Sequence, residues 1–525
     1  MCILHLLHQD GSQGRLLVSC PMLTSILPSR VRSGKHYALS WSIPDAFGGM
    51  TSALLHRSRA FVRLTGQPVE ILTFDDRLDY PELVDRLRSS GDVVDGMRII
   101  NIWEWFREHD EQPARTGASA HGHERLDPAD GDGQARCDGV VLVRQRRTEP
   151  GGEMLATDRF RPDGTLLMTD RRDPDTGGRS VVLYDRRGEP VRRWESVWAL
   201  YRHWLDRVFG AQESFVIVDS KTVARFARTY HRANVVMMHV LHGSHRSADG
   251  SQLSATRLTV LEHLDDFDAV IVLTSRQRED LLHDLGPHDN IAVIPNGFDG
   301  AGPSRASSGT RRGRGVMLAS LIVRKRVSHA IKALARASDD ADLTLDVFGE
   351  GARRPLLEET IRSLGVQDRV RLRGHVDDAR AAFVSADFML LTSKTEGLPL
   401  ALIEAMAAGC IPIAYDIPYG PSDVIQDGRN GFLIPPGDIG AMSRRIAELQ
   451  RMPEQDVSAM RRRARESASR FDDRSVVRAW GREMRRARRR KRRASDPGPR
   501  RIRRLAGRIK RRLHRLAERA LVSDP

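Results

Sequence analysis

Residues 387–416 read DFMLLTSKTEGLPLALIEAMAAGCIPIAYD. The apolar run FMLLTS is short enough for a buried strand, LPLALIEAMA suits a helix, and IPIAYD is a second buried strand. Short, continuously apolar strands separated by helices are the mark of a parallel sheet covered on both faces. Outward from this unit the pattern repeats as VMLAS at 316–320, LTLDVFG at 343–349, VRLRG at 370–374 and GFLIPP at 431–436. The segments between, such as HAIKALARAS and RRPLLEETIRSLG, carry apolar residues at three- and four-residue spacing. Residues 315–470 therefore read as one doubly wound α/β domain.

A second α/β domain is expected over 35–300, in two pieces. The first runs from about Tyr37 to Asp110, with the turn DAFGGM leading into the helix TSALLHRSRAFVRL. The second contains FVIVDS at 215–220, VVMMHVLH at 235–242, DAVIVLTS at 268–275 and NIAVIPNG at 290–297. Between them, within 111–200, residues 112–135 read as a Gly/Pro/His-rich loop. Residues 136–195 alternate across the Asp163-Gly164 and Arg187-Gly188 turns, as an antiparallel meander does. Residues 1–34 read as an extension ahead of the fold, and 301–314 as a Gly/Ser/Arg linker acting as hinge. Two such domains should form a cleft with ligands at the carboxyl ends of the strands.

The chain has 525 residues, too many for one core, and a net charge of +15. Residues 482–519 hold 19 basic and 3 acidic side chains, so the rest is close to neutral. The positive field thus belongs to the region 471–525, a terminal helix and Arg-rich tail, with Ile502, Leu505, Ile509, Leu513 and Leu516 at helical spacing. That pattern fits an anionic membrane surface or a polyanionic acceptor, and without interleaved aromatics nucleic acid is not the expected partner. Cys2, Cys20, Cys137 and Cys410 form no C-x-x-C pair, which points to a reducing cytoplasm. No run reaches the roughly 18–20 apolar residues of a membrane-spanning helix. The expected location is cytoplasmic, with a peripheral membrane contact through the tail.

Glu396 and Glu404 stand eight residues apart around a helix start, the second about two turns down the helix. On spacing alone they suit either a first-turn glutamate and an ordinary helical one, or two carboxylates accepting hydrogen bonds from hydroxyls beside an anion on the helix N-terminus. Thr395-Glu396-Gly397-Leu398-Pro399-Leu400-Ala401-Leu402-Ile403-Glu404-Ala405, followed by AMAAGCIPIAYD and DVIQDGRNGFLIPPGD, resembles the glutamate–x7–glutamate region of retaining glycosyltransferases of the GT-B fold, family 4. The resemblance implies two Rossmann-like domains and a UDP-sugar donor, with no metal or other cofactor. Asp266-Phe267-Asp268 and Asp130-Gly131-Asp132 have the form of a metal-binding pair but not its position. Glu396 would orient the sugar, Glu404 the ribose, and Gly397, Leu398 and Pro399 would line the donor.

The family places an arginine and a lysine after the first strand of this domain. Lys325 matches the lysine, but Ser320 stands where the arginine is expected, leaving Arg324 or Arg326 to replace it. Gly349 and Gly351 match positions where the backbone approaches the nucleotide, and Gly48 and Gly49 match the glycine loop of the first domain. Of His239, His242 and His245, the resemblance selects His242, with His245 as second, to contact the donor sugar from the opposite lip. The catalytic set is thus Glu396, Lys325 and His242.

With its β-rich insertion and GGMTSALLHRS segment, the chain also resembles the poly(glycerol-phosphate) α-glucosyltransferases that decorate wall teichoic acid. This implies transfer of a hexose or N-acetylhexosamine to an anionic cell-envelope polymer or glycan, and self-association through the insertion. Two alternatives stay open at this stage: O-glycosylation of Ser/Thr on a secreted protein, and a non-catalytic glycan- or partner-binding subunit.

Overall fold

The computed structural model describes residues 33–45, 47–111, 133–138, 141–148, 154–172, 176–247, 250–299, 313–337, 343–376 and 378–495. The expected extension up to residue 32, the loop to residue 132, the linker to residue 312 and the tail beyond Ser495 lie outside them. Two parallel sheets form the body. In the first, β1 (Lys35–Leu39), β2 (Val69–Thr73) and β3 (Met97–Asn101) open the chain. Six strands of an insertion follow: β4 (Gly133–Asp138), β5 (Val141–Thr148), β6 (Met154–Phe160), β7 (Leu166–Arg172), β8 (Arg179–Tyr184) and β9 (Pro190–Trp194). The first sheet then resumes with β10 (Ser214–Val218), β11 (Val235–Leu241), β12 (Ala269–Val272) and β13 (Ile291–Val293), in the order β13-β12-β11-β10-β1-β2-β3. Every residue of β10 and β11 is buried, because helices or the insertion cover both faces.

The second sheet comprises β14 (Arg314–Leu318), β15 (Thr344–Phe348), β16 (Val370–Gly374), β17 (Phe388–Leu391), β18 (Ile411–Tyr415) and β19 (Phe432–Ile434). Its order is β16-β15-β14-β17-β18-β19, and each apolar run singled out in the sequence from 315 onward supplies one strand. The architecture is that of two Rossmann-like α/β layers, as expected. The insertion is a six-stranded antiparallel meander in chain order. It starts at Gly133, inside the stretch read as loop, so the loop reading is corrected there.

Leu167, Met168, Val181, Leu183 and Trp194 of the insertion share one core with Trp103, Phe106, Tyr201 and Trp204 of the first domain. Arg159 stacks on Trp103 at 3.6 Å and reaches Asp76, so the meander is built into its host rather than tethered to it.

The helix Asp473–Ser495 returns from the second domain to the first. Trp480 meets Phe61 and Arg57, while Asp473 accepts a 2.7 Å hydrogen bond from His56. Residues 482–495, read from sequence as the start of a basic tail, are therefore part of this docked helix. Arg488 pairs with Glu213, and Lys491 with Asp268. Among the described residues no helix is long and apolar enough to cross a membrane.

Candidate active site

Strand order reverses between β1 and β10 in one sheet and between β14 and β17 in the other. Loops leaving neighbouring strands at such a point diverge and open a crevice at their carboxyl ends. Lys325 follows β14 and Glu396 follows β17, so two residues 71 apart in sequence meet at the crevice. Lys325 Nζ lies 2.5 Å from Glu396 Oε1. Arg324 donates to the Thr395 carbonyl at 2.9 Å and stands 3.5 Å from the second Glu396 oxygen.

The surrounding chain fixes this cluster. Thr392, fully buried, donates its hydroxyl toward the carbonyls of Lys325 and Arg326 at 2.9 and 3.0 Å. Ser393 donates to Glu396 Oε1 at 2.6 Å. The Glu396 amide donates to Pro418 and the Tyr419 amide to Glu396, clipping the loop on its other side. A carboxylate so held needs little reorganisation to receive a ligand hydroxyl.

The helix following this loop spans Leu400–Ala407, with Pro399 as its N-cap and no side chain bonding its first amides. Glu404 is the fifth helical residue, little more than one turn in, which corrects the two-turn placement; the turn Glu396–Pro399 uses up the difference. Burial pushes the Glu404 carboxyl above the usual glutamate range, opposed by Arg380 at 3.2 Å and by His56. Arg324 therefore joins the Glu396 cluster, whereas Arg326 does not. Arg326 has a left-handed φ of 47° and lies over the Tyr415 ring at 5.6 Å.

On the facing lip, His242 follows β11 and places Nε2 2.7 Å from Asp219 Oδ1 at the end of β10. Asp219 is fully buried and also takes two hydrogen bonds from Arg57 of the Gly49–Thr65 helix, at 2.9 and 2.7 Å. Burial alone would raise its carboxyl, but Arg57 and His242 hold it at about 2. Because a carboxylate only accepts, His242 carries its proton on Nε2, leaving Nδ1 as the second polar atom of the ring.

The two lips touch at Gly397, where a Cβ would fall 2.1 Å from the His242 carbonyl oxygen. Only glycine fits this crossing. Nearby, Asp423 of the second domain accepts from the amides of Ser275 and Arg276, and Tyr419 donates to Asp280 at 2.8 Å.

The other two histidines have separate partners. His239 bonds the Val218 carbonyl and is pushed down to about 4 by burial, while His245 is buried against Asp284 and stacks on Tyr419. Gly48 is the N-cap of the Gly49–Thr65 helix with no side-chain cap, so its first amides face the crevice end of β1. A Cβ on Gly349 would meet the Ala319 carbonyl at 2.2 Å, and one on Gly351 the Leu321 carbonyl at 2.6 Å. Those glycines admit the chain's own 319–321 backbone, which carries Ser320. Sequence reasoning missed Asp219, Arg57 and Arg380; an aspartate ending the buried strand FVIVDS was the one signal available.

Residues 311–470 match the family described as glycosyl transferases group 1. An exopolysaccharide phosphotransferase of Streptomyces coelicolor is 34% identical over 217 residues, 41% of this chain but only 23% of that protein's length. The poly(glycerol-phosphate) alpha-glucosyltransferase of Bacillus subtilis is 22% identical over 79% of this chain and 70% of its own length. The poly(ribitol-phosphate) alpha-N-acetylglucosaminyltransferase of Staphylococcus aureus is 24% identical over 77% of this chain and 90% of its own. Among solved structures, S. aureus TarM in a complex containing UDP superposes with a TM-score of 0.66 at 20% identity, covering 86% of this chain and 99% of TarM. The pneumococcal O-GlcNAc transferase GtfA, with UDP and GlcNAc, gives 0.62 at 20% identity over 87% and 99%. The chain is a glycosyltransferase of the GT-B fold, and its similarity to the group 1 glycosyl transferases covers residues 311–470.

Proposed function

We propose that the protein is a retaining glycosyltransferase that moves a hexose or N-acetylhexosamine from a UDP-sugar to a hydroxyl of an anionic polymer of the poly(glycerol phosphate) type. The observation that carries the reading is the Lys325–Glu396 pair at the crevice, backed by Arg324 and set against the His242 lip. A lysine ammonium has three donors, so one can hold Glu396 while two face a diphosphate. Charge that builds on the departing UDP is then met by Lys325, Arg324 and the uncapped amides of the Gly49–Thr65 and Leu400–Ala407 helices. Glu396 accepts from a sugar hydroxyl, Glu404 from the ribose, and His242 meets the sugar from the opposite side.

Retention follows from attack on the face the UDP leaves, the phosphate oxygen taking the acceptor's proton, with no protein nucleophile. Relatives that act on poly(glycerol phosphate) and poly(ribitol phosphate) support the acceptor class. The likeness to GtfA favours a second reading, in which the acceptor is a Ser/Thr hydroxyl of a protein. A panel of UDP- and GDP-sugars, each with poly(glycerol phosphate) or a Ser-rich peptide, separates them. UDP release that depends on the polymer supports the first reading, peptide-dependent release the second, and GDP-sugar turnover neither.

Glu404 gives this reading a pH signature. Its raised carboxyl must be ionised to accept from ribose, so UDP affinity should fall as pH drops, with a midpoint above the ordinary glutamate value of 4.5. Ionising a carboxyl whose folded value is raised costs stability, so Glu404→Gln should hold or raise the melting temperature at pH 7 while abolishing that pH step. Titration calorimetry with UDP from pH 7.5 to 5 checks the step, and thermal melting at pH 7 checks the stability; a step retained in the variant assigns it elsewhere. Self-association through the insertion is proposed as well, and light scattering at micromolar concentration giving a monomer mass would reject it.

A further inference from the structure

The exposed edge of the first sheet carries a groove of about 620 Å³ between the helix Ser275–Leu285, strand β13 and the docked helix Asp473–Ser495. Arg278 lines it from one side, and Arg482, Arg486 and Arg490 from the other. Those three stand four residues apart, a spacing of about 6 Å along the helix axis. Arg490 is held by Glu483 and by the Asp268 carbonyl, which marks the groove's far end at the start of β12. The near end is Ser275, whose amide bonds Asp423 of the second domain beside the crevice. The groove thus runs from the edge of the active site down the length of the sheet.

Its charges are of both signs. Glu483 faces Arg486 and Arg490, while Glu279 and Asp289 are exposed on the lining and pair with no arginine among the described residues. A dense polyanion such as nucleic acid would meet repulsion from those two carboxylates. A polymer whose phosphates are separated by hydroxyl-bearing spacers would not: arginines take the phosphates and carboxylates accept from the hydroxyls. The concave shape also suits a strand laid lengthwise better than a flat lipid surface.

We infer that this groove is the track for the distal part of a polyol-phosphate acceptor whose end reaches the crevice. The inference rests on the acceptor reading above and adds where the polymer lies.

The test uses the full chain and compares long poly(glycerol phosphate) with a glycerol-phosphate dimer too short to leave the crevice. Arg278→Gln/Arg482→Gln/Arg486→Gln should raise KM for the long polymer about tenfold and flatten its salt dependence. Turnover of the dimer, UDP affinity and melting temperature should stay at wild-type values. The corresponding triple Lys variant should recover most of the long-polymer KM. Arg485 and Arg489 are exposed on the same helix but outside the groove, so Arg485→Gln/Arg489→Gln should change little.

An unchanged long-polymer KM in the triple Gln variant, or an equal loss in the Arg485/Arg489 pair, would overturn the track. So would an effect confined to binding of phosphatidylglycerol vesicles, which would make the patch a membrane contact. A wild-type enzyme that glycosylates neither dimer nor polymer instead removes the acceptor reading itself, and with it the groove's ligand.

Discussion

Lys325→Ala is expected to lower the turnover of sugar transfer by about 10²–10³-fold, the loss typical when one preorganised group facing developing charge is removed. Lys325 reaches the Glu396 carboxylate from the loop after β14, and it is mostly shielded from solvent. Its removal leaves Glu396 facing the donor's anionic phosphates with only Arg324, which is half exposed. Binding of UDP should weaken too, but less than turnover falls, because charge on the phosphate peaks as the sugar leaves. Lys325→Arg should not restore activity, since a planar fork cannot replace a compact ammonium between Glu396 and a phosphate. Steady-state kinetics beside UDP calorimetry separates the two effects; equal losses in both would make Lys325 a ground-state anchor only.

The largest loss of stability is expected from Asp219→Ala, about 3–5 kcal/mol, because it strands the Arg57 guanidinium, buried and without its carboxylate. Chemical denaturation at pH 7 measures it. The sign of the pH effect follows from the lowered Asp219 carboxyl. Asp219 sits at about 2 when folded, below its ordinary 3.8, so its contribution is whole above pH 4 and fades as pH falls toward 2. The gap between wild type and variant should close over that window. Replacing both partners, Arg57→Met with Asp219→Leu, should regain most of the stability, since neither charge is then left alone. It should not regain activity, because His242 loses the carboxylate that fixes its ring.

Much of the fold is legible because parallel strands buried on both faces appear as unbroken apolar runs, from Phe215–Val218 to Phe388–Leu391. β4 is not: GQARCD alternates only the small Gly133, Ala135 and Cys137 with polar residues, a weak strand signal, and it adjoins a Gly- and His-rich stretch. The expectation for Glu396 and Lys325 comes from the family resemblance of the segments that hold them, since spacing alone leaves both as ordinary charged residues, and the structure brings the two together. The Arg57–Asp219–His242 chain is not legible, since it joins a helix face, a strand end and a loop across as many as 185 residues, and only topology makes them neighbours. The same limit misleads on charge. Counting arginines over 482–493 reveals a basic segment but not Glu213 and Asp268, more than 220 residues earlier, which neutralise its inner side and leave the outer side to face the groove.

The most direct test incubates wild type and Glu396→Gln side by side with UDP-glucose or UDP-N-acetylglucosamine and poly(glycerol phosphate), and reads the mass of the polymer. The wild type should add whole sugar units from one of these donors, and Glu396→Gln, still folded and still binding UDP, should add almost none. Polymer extended equally by both proteins, or by neither while UDP binds normally, would contradict the proposed activity.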